Sequence, residues 1–156
     1  TVTQINRILA EYPGVLGVHD LEVHNYGPGH VIVTLHAEVD GKKDVFETHD
    51  MIDTIEKRIC RECGIRATIH MDPIVTDDAA VNALRDVVLA EVRAVDPSLS
   101  IHDFRFVAGP THSNLIFDLA VPFECPRSNE ELRRAVSSRL SRLDPSYFSV
   151  ITVDRG

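Results

Sequence analysis

One motif occurs twice in this chain, and the internal repeat constrains the fold more than any other feature. The segment GVHDLEVHNYGPGHVIVTLHAEV in the first half aligns with SIHDFRFVAGPTHSNLIFDLAV in the second, and TIHMD aligns with VITVD. Self-similarity of this kind is the signature of repeated structural units. We therefore predict two tandem units, residues 1–74 and 75–156, that meet at the segment DPIVTDD.

Each copy reads as helix, strand, strand, helix, strand. The strand before the second helix of the first copy alternates strictly, with apolar residues on one side: Val31, Val33, Leu35, Ala37 and Val39. The helices carry apolar residues at helical spacing, as at Ile52, Ile55 and Ile59. One apolar face per strand and one apolar stripe per helix predict an α+β fold, with helices on one face of a mainly antiparallel sheet.

Charge and composition exclude several classes of protein. The net charge is −8, so no basic surface is expected to follow a phosphate backbone, and we expect no nucleic-acid partner. No apolar run reaches the roughly 20 residues of a membrane helix, so we expect no membrane insertion by this segment. Three cysteines without framework spacing predict free thiols. The first residue is Thr1 rather than methionine, which is compatible with a piece of a longer protein.

The histidines are concentrated in the first copy. Six of the eight precede residue 75, and the aligned residues of the second copy are different: His36 becomes Asp118, His49 becomes Glu131 and His70 becomes Thr152. Any histidine-built site is therefore expected in the first copy.

His36, His70 and Asp72 lie on the polar side of their strands and converge if the two strands are neighbours. Two imidazoles and a carboxylate suit zinc and also manganese, iron or cobalt. For any one histidine the alternative is a solvated polar face, but the three residues together favour a metal site. Strand parity alone puts His19 on the apolar side, beside Leu21.

Two further groups are ambiguous. His49 shares a polar helix stripe with Asp53 and Glu56, which either is simply solvated or is reached by a neighbouring protomer. Cys60 and Cys63 form a C-x-x-C motif that has no second cysteine pair, so a helix end with two thiols is the simpler interpretation. No nucleophile, phosphate-loop or dinucleotide signature is present, and we expect no enzyme.

The segments VLGVHDLEVHNYGPGHVIVTLHAEVD, ETHDMIDTIEKRI and ATIHMDPI resemble the cytoplasmic C-terminal domain of cation diffusion facilitator transporters, which export divalent metals. The resemblance covers about residues 5 to 75. It implies a metallochaperone-like, ferredoxin-like unit that forms a homodimer on the cytoplasmic side of the bacterial plasma membrane, joined to a transmembrane domain. Carried over by position, the metal ligands are His19, His36, His49, His70 and Asp72.

The implied function is metal sensing for a zinc, manganese or iron efflux transporter. Acidic protomers associate weakly until divalent cations neutralise their interface, so that metal closes the dimer. Binding is expected to weaken as the pH falls through about 6.5, because ligand imidazoles must be neutral. Alternatives are a free-standing metal-binding or interaction module and a metal-dependent hydrolase, which would need an open coordination position and a pocket.

Overall fold

A computed structural model describes all residues, 1–156, and divides the chain into two compact units, Thr1–Ile74 and Val75–Gly156. The elements of the first unit are α1 Val2–Ala10, β1 Gly17–Asn25, β2 Val31–Asp40, α2 Val45–Cys63 and β3 Arg66–Ile74. Those of the second unit are α3 Asp78–Val95, β4 Ser100–Val107, β5 Ser113–Val121, α4 Asn129–Leu143 and β6 Tyr147–Arg155. None of the four helices is both long and apolar enough to cross a membrane.

The structure confirms the predicted α+β class and the αββαβ order of each unit. The sheets are ordered β1-β2-β3 and β4-β5-β6. In each sheet the first pair is antiparallel and the second is parallel, so the expectation of a mainly antiparallel sheet holds for only half of the pairs. The reason is the second helix of each unit, which carries the chain back across the sheet and makes the next strand run parallel.

Each unit has its own core on one face of its sheet. In the first unit the apolar residues of β2 share one buried core with residues of both helices, and Leu35, Ile5 and Ile55 are all members of it. The polar face of β2 lies opposite, because successive side chains of a strand alternate. This leaves one face of the three-stranded sheet for polar residues.

An irregularity interrupts β1 directly after His19. The pairing with β2 shifts between His19 and Glu22, and Asp20 has a left-handed φ of 51°. A bulge of this kind inserts a residue and reverses the alternation beyond it. Val18 and Leu21 therefore both pack towards the core, while His19 lies on the polar face beside β2.

The outer edge of β3 is partly covered by α2. The backbone N–H of Ile69 donates to the Glu56 carboxylate at 2.8 Å, although an edge strand normally leaves such groups unpaired. Glu56 thereby fixes the helix against the strand that carries His70 and Asp72.

Candidate metal centre

Three strands bring the predicted ligands of the sheet to one place. His36 on β2 lies opposite His19 in the antiparallel pair and opposite His70 in the parallel pair. Asp72 follows His70 by two residues and therefore projects from the same face. Four of the five residues carried over from the resemblance are thus neighbours on the polar face of the first sheet.

Asp72 lies at the centre of this group. Its Oδ2 is 3.0 Å from His19 Nε2 and 3.0 Å from His36 Nδ1, and its Oδ1 is 3.3 Å from His70 Nε2. The ring centroid of His36 is 4.8 Å from that of His19 and 4.7 Å from that of His70. The candidate ligand atoms of His19, His36 and Asp72 all lie within 4.8 Å of one another, a spacing that one cation could bridge.

Glu38 is a further member of the site that the sequence pattern did not single out. It is only 1% exposed, and its Oε2 lies 3.5 Å from His19 Nδ1. Gly17 opposite makes this possible, because a Cβ there would lie 2.3 Å from Glu38 Oε2. The available signal was parity, since Glu38 follows His36 by two residues in the same strand.

The two carboxylates keep His19 protonated in the metal-free site. Burial opposes the imidazolium, but the hydrogen bonds to Asp72 and Glu38 outweigh it and raise the pKa of His19 to about 9. Burial likewise opposes ionisation of Asp72, yet its hydrogen bonds with His19 and His36 hold its pKa below the ordinary value. The metal-free group therefore carries a proton that a cation must displace.

This donor set fits a divalent cation. Imidazole nitrogens and a carboxylate oxygen are ligands for zinc and for other first-row divalent ions. His19 has Nε2 beside Asp72 and Nδ1 beside Glu38, so Glu38 is placed to orient the ring, and Nε2 would be the atom that binds a cation. His70 is the most accessible member, with its side chain 68% exposed.

His49 is not part of this group. It lies on α2 and lines a separate cavity of about 310 Å³ with Asp53 and Glu56. His70 and Met71 form the strand side of the same cavity, so only His70 belongs both to this cavity and to the group around Asp72.

The C-x-x-C cysteines are both free. Cys60 is exposed, whereas Cys63 packs against the core.

Comparison with known proteins gives matches for the first unit. Residues 1–74 match the family model described as "Cation efflux protein, cytoplasmic domain". Over 71 residues the chain is 35% identical to the cation-efflux pump FieF of Yersinia enterocolitica and 35% identical to FieF of Escherichia coli. These alignments cover 45% of this chain but only 23% of each relative. The metal-bound C-terminal domain of the CzcD transporter from Thermotoga maritima aligns with a TM-score of 0.43 and 27% identity, over 46% of this chain and 85% of that domain.

Proposed function

We propose that this chain is the metal-sensing, dimerising regulatory part of a divalent-metal efflux transporter, because residues 1–74 match the family model of cation efflux protein cytoplasmic domains. The chain would lie on the cytoplasmic side of the bacterial plasma membrane, next to the transmembrane domain of the same transporter. One observation carries the proposal: a single carboxylate, Asp72, is within 3.3 Å of three imidazoles from three strands.

The sensing mechanism follows from exchange of a proton for a cation. Without metal, His19 holds a proton between Asp72 and Glu38, which neutralises part of the buried negative charge. A divalent cation would bring more positive charge to the same donor atoms than this proton does, and it would bind several of them at once. Zinc is the first candidate, and manganese, iron or cobalt suit the same ligands.

Dimerisation would complete the site. His49 lies outside the group around Asp72 in its own protomer, and the side chain of His70 is exposed. We therefore assign to His49 the role of a ligand that one protomer contributes to the site of the other. Metal would then favour the dimer by its higher affinity for the closed arrangement, which is the only way in which a ligand shifts such an equilibrium. The transporter would respond to the cytosolic metal concentration through this change in the dimer fraction.

Zinc titration of the purified chain by calorimetry tests this proposal. We expect saturable binding that is largely lost in His36→Ala with His70→Ala, because two of the three imidazoles beside Asp72 are removed. The matched control is His24→Ala with His30→Ala, two histidines outside the group around Asp72. Unchanged stoichiometry in the first double variant would contradict the ligand assignment.

Sedimentation of the same proteins tests the regulatory step separately. We expect zinc to increase the dimer fraction of the wild-type chain and of the control, but not of His49→Ala at equal protein concentration. If zinc binds and the oligomeric state does not respond, the chain is a metal-binding module without the proposed switch.

A further inference from the structure

The second unit keeps three metal-ligating residue types at the positions of the first-unit group. We propose that His102, Asp118 and Asp154 form a second divalent-cation site, which takes harder ions such as Mn²⁺ than the histidine-rich group does. The proposal rests on the metal assignment of the first unit for the correspondence of residues, but it concerns different residues in a separate compact unit, so it is tested by itself.

Strand register makes the two groups equivalent. His102 lies opposite Asp118 in the antiparallel pair, as His19 lies opposite His36. Asp154 lies opposite Ala120 in the parallel pair, at the place that Asp72 takes opposite Glu38 in the first unit. The imidazole and the two carboxylates therefore project from the same face and the same three strands as the first group.

The backbone that positions the first-unit histidine is also preserved. The pairing of β4 shifts between His102 and Arg105, and Asp103 has the same φ of 51° as Asp20. The bulge sets His102 on the polar face, as it sets His19 in the first unit. The matching register and bulge establish the correspondence of residues independently of the sequence alignment.

One exchange makes the second group more open than the first. Glu38 fills the space beside His19, whereas its counterpart in the second unit is Ala120. A cavity of about 550 Å³ lies there and is lined by His102, Asp154 and Glu124. The cavity gives room for water ligands, which manganese and similar hard ions commonly keep, and Glu124 offers another carboxylate.

The local charge favours a cation. The side chain of Asp118 lies in the field of Asp103 and Asp154, with Arg105 as the neighbouring positive charge. The guanidinium of Arg105 also donates to the backbone carbonyl of Asp103. Three carboxyl groups against one guanidinium leave the group negative, and one imidazole with carboxylate oxygens prefers harder ions than a set of three imidazoles does.

The candidate ligand atoms of the second group lie farther apart than those of the first. His19, His36 and Asp72 are the one group of metal-ligating side chains whose atoms all lie within 4.8 Å. Side-chain rotation in the second group must close the remaining distance when the ion binds. We therefore expect a weaker site that responds to manganese at higher concentration than the first unit does.

Paramagnetic broadening by Mn²⁺ tests the site in the full chain. In amide NMR spectra, Mn²⁺ broadens signals near the bound ion, so a titration continued beyond the point at which the first-unit signals are broadened reports on the two units separately. We expect broadening at Ala120 and Val153 that is lost in Asp118→Asn with Asp154→Asn, while broadening at Leu35 is unchanged. The matched control, Asp86→Asn with Glu130→Gln, removes two carboxylates of the same unit that lie on its helices.

Two results would overturn the proposal: no broadening in the second unit of the wild-type chain, or equal broadening in the double variant. If the double variant does not fold, His102→Ala replaces it, and persistent broadening at Val153 in that variant has the same meaning. If the first unit does not bind the ion, the signal of Leu35 is not broadened. The two proposals are therefore tested by different signals.

Discussion

His19 carries a proton between two carboxylates, and this predicts how the stability of the metal-free first unit depends on pH. The pKa of His19 is about 9 in the folded unit, against about 6.5 for an unperturbed histidine. This gap corresponds to about 3 kcal/mol of stabilisation by the protonated ring. Because the folded pKa is the higher one, the stabilisation is complete below pH 6.5 and is lost as the pH rises through 9.

Urea unfolding of the chain in chelator, followed by the amide signal of Leu35, measures this loss in the first unit alone. We expect the free energy of unfolding to fall by about 3 kcal/mol between pH 6.5 and 9 in the wild type. His19→Gln should start lower and show little change over this range. The control is His24→Gln on the same strand, whose imidazole faces the exposed Glu22 and which should keep the wild-type slope.

The refuting result is specific. If His19→Gln loses as much stability as the wild type over the same pH range, the proton between the two carboxylates is not the cause. Loss of stability at low pH has a different cause. The folded unit lowers the pKa of Asp72, so the ionised carboxylate stabilises the fold above its ordinary pKa, and this stabilisation is lost as the pH falls.

Three further outcomes follow from the same geometry. Zinc binding at about pH 7.5 should release about one proton per chain from His19, measured by calorimetry in buffers of different ionisation enthalpy. Gly17→Ser should push the Glu38 carboxylate away from His19, and the His19 pKa measured by NMR should fall, because a Cβ there would lie 2.3 Å from Glu38 Oε2. Asp20→Val should destabilise the first unit by about 1 to 2 kcal/mol in urea, whereas Asp20→Gly should stay within about 1 kcal/mol, because the left-handed φ penalises a β-branched residue most.

The sequence was most informative where strand alternation was regular. His36, His70 and Asp72 follow from parity alone, since residues opposite one another in neighbouring strands share a face whether the pair is parallel or antiparallel. Whether those strands are neighbours was an assumption that periodicity cannot test. The structure supplies that pairing.

His19 shows where parity fails. Alternation placed it on the apolar side with Leu21, but the bulge at Asp20 reverses the alternation between them. One inserted residue leaves no clear trace in a hydrophobic pattern, and Asp in a left-handed conformation is not distinctive in a single sequence. The burial of Glu38 was hidden for a related reason, because it depends on the missing side chain of Gly17 across the strand pair.

The position of His49 depends on packing that a helix pattern does not contain. Periodicity gives the polar stripe of α2 but not how that stripe meets β3, which rests on contacts such as that of Glu56 with Ile69. Whether a second protomer approaches this stripe is likewise a property of an assembled surface rather than of a local pattern.

The contact between Glu56 and Ile69 also limits how copies of this chain can associate. A strand of another molecule that tried to extend the sheet at β3 would find the Ile69 donor already occupied by a carboxylate, and would meet its negative charge. Continuous cross-chain sheets, the route to fibres, are therefore disfavoured at the edge beside the candidate metal ligands. Contacts between copies at this edge are therefore left to side chains.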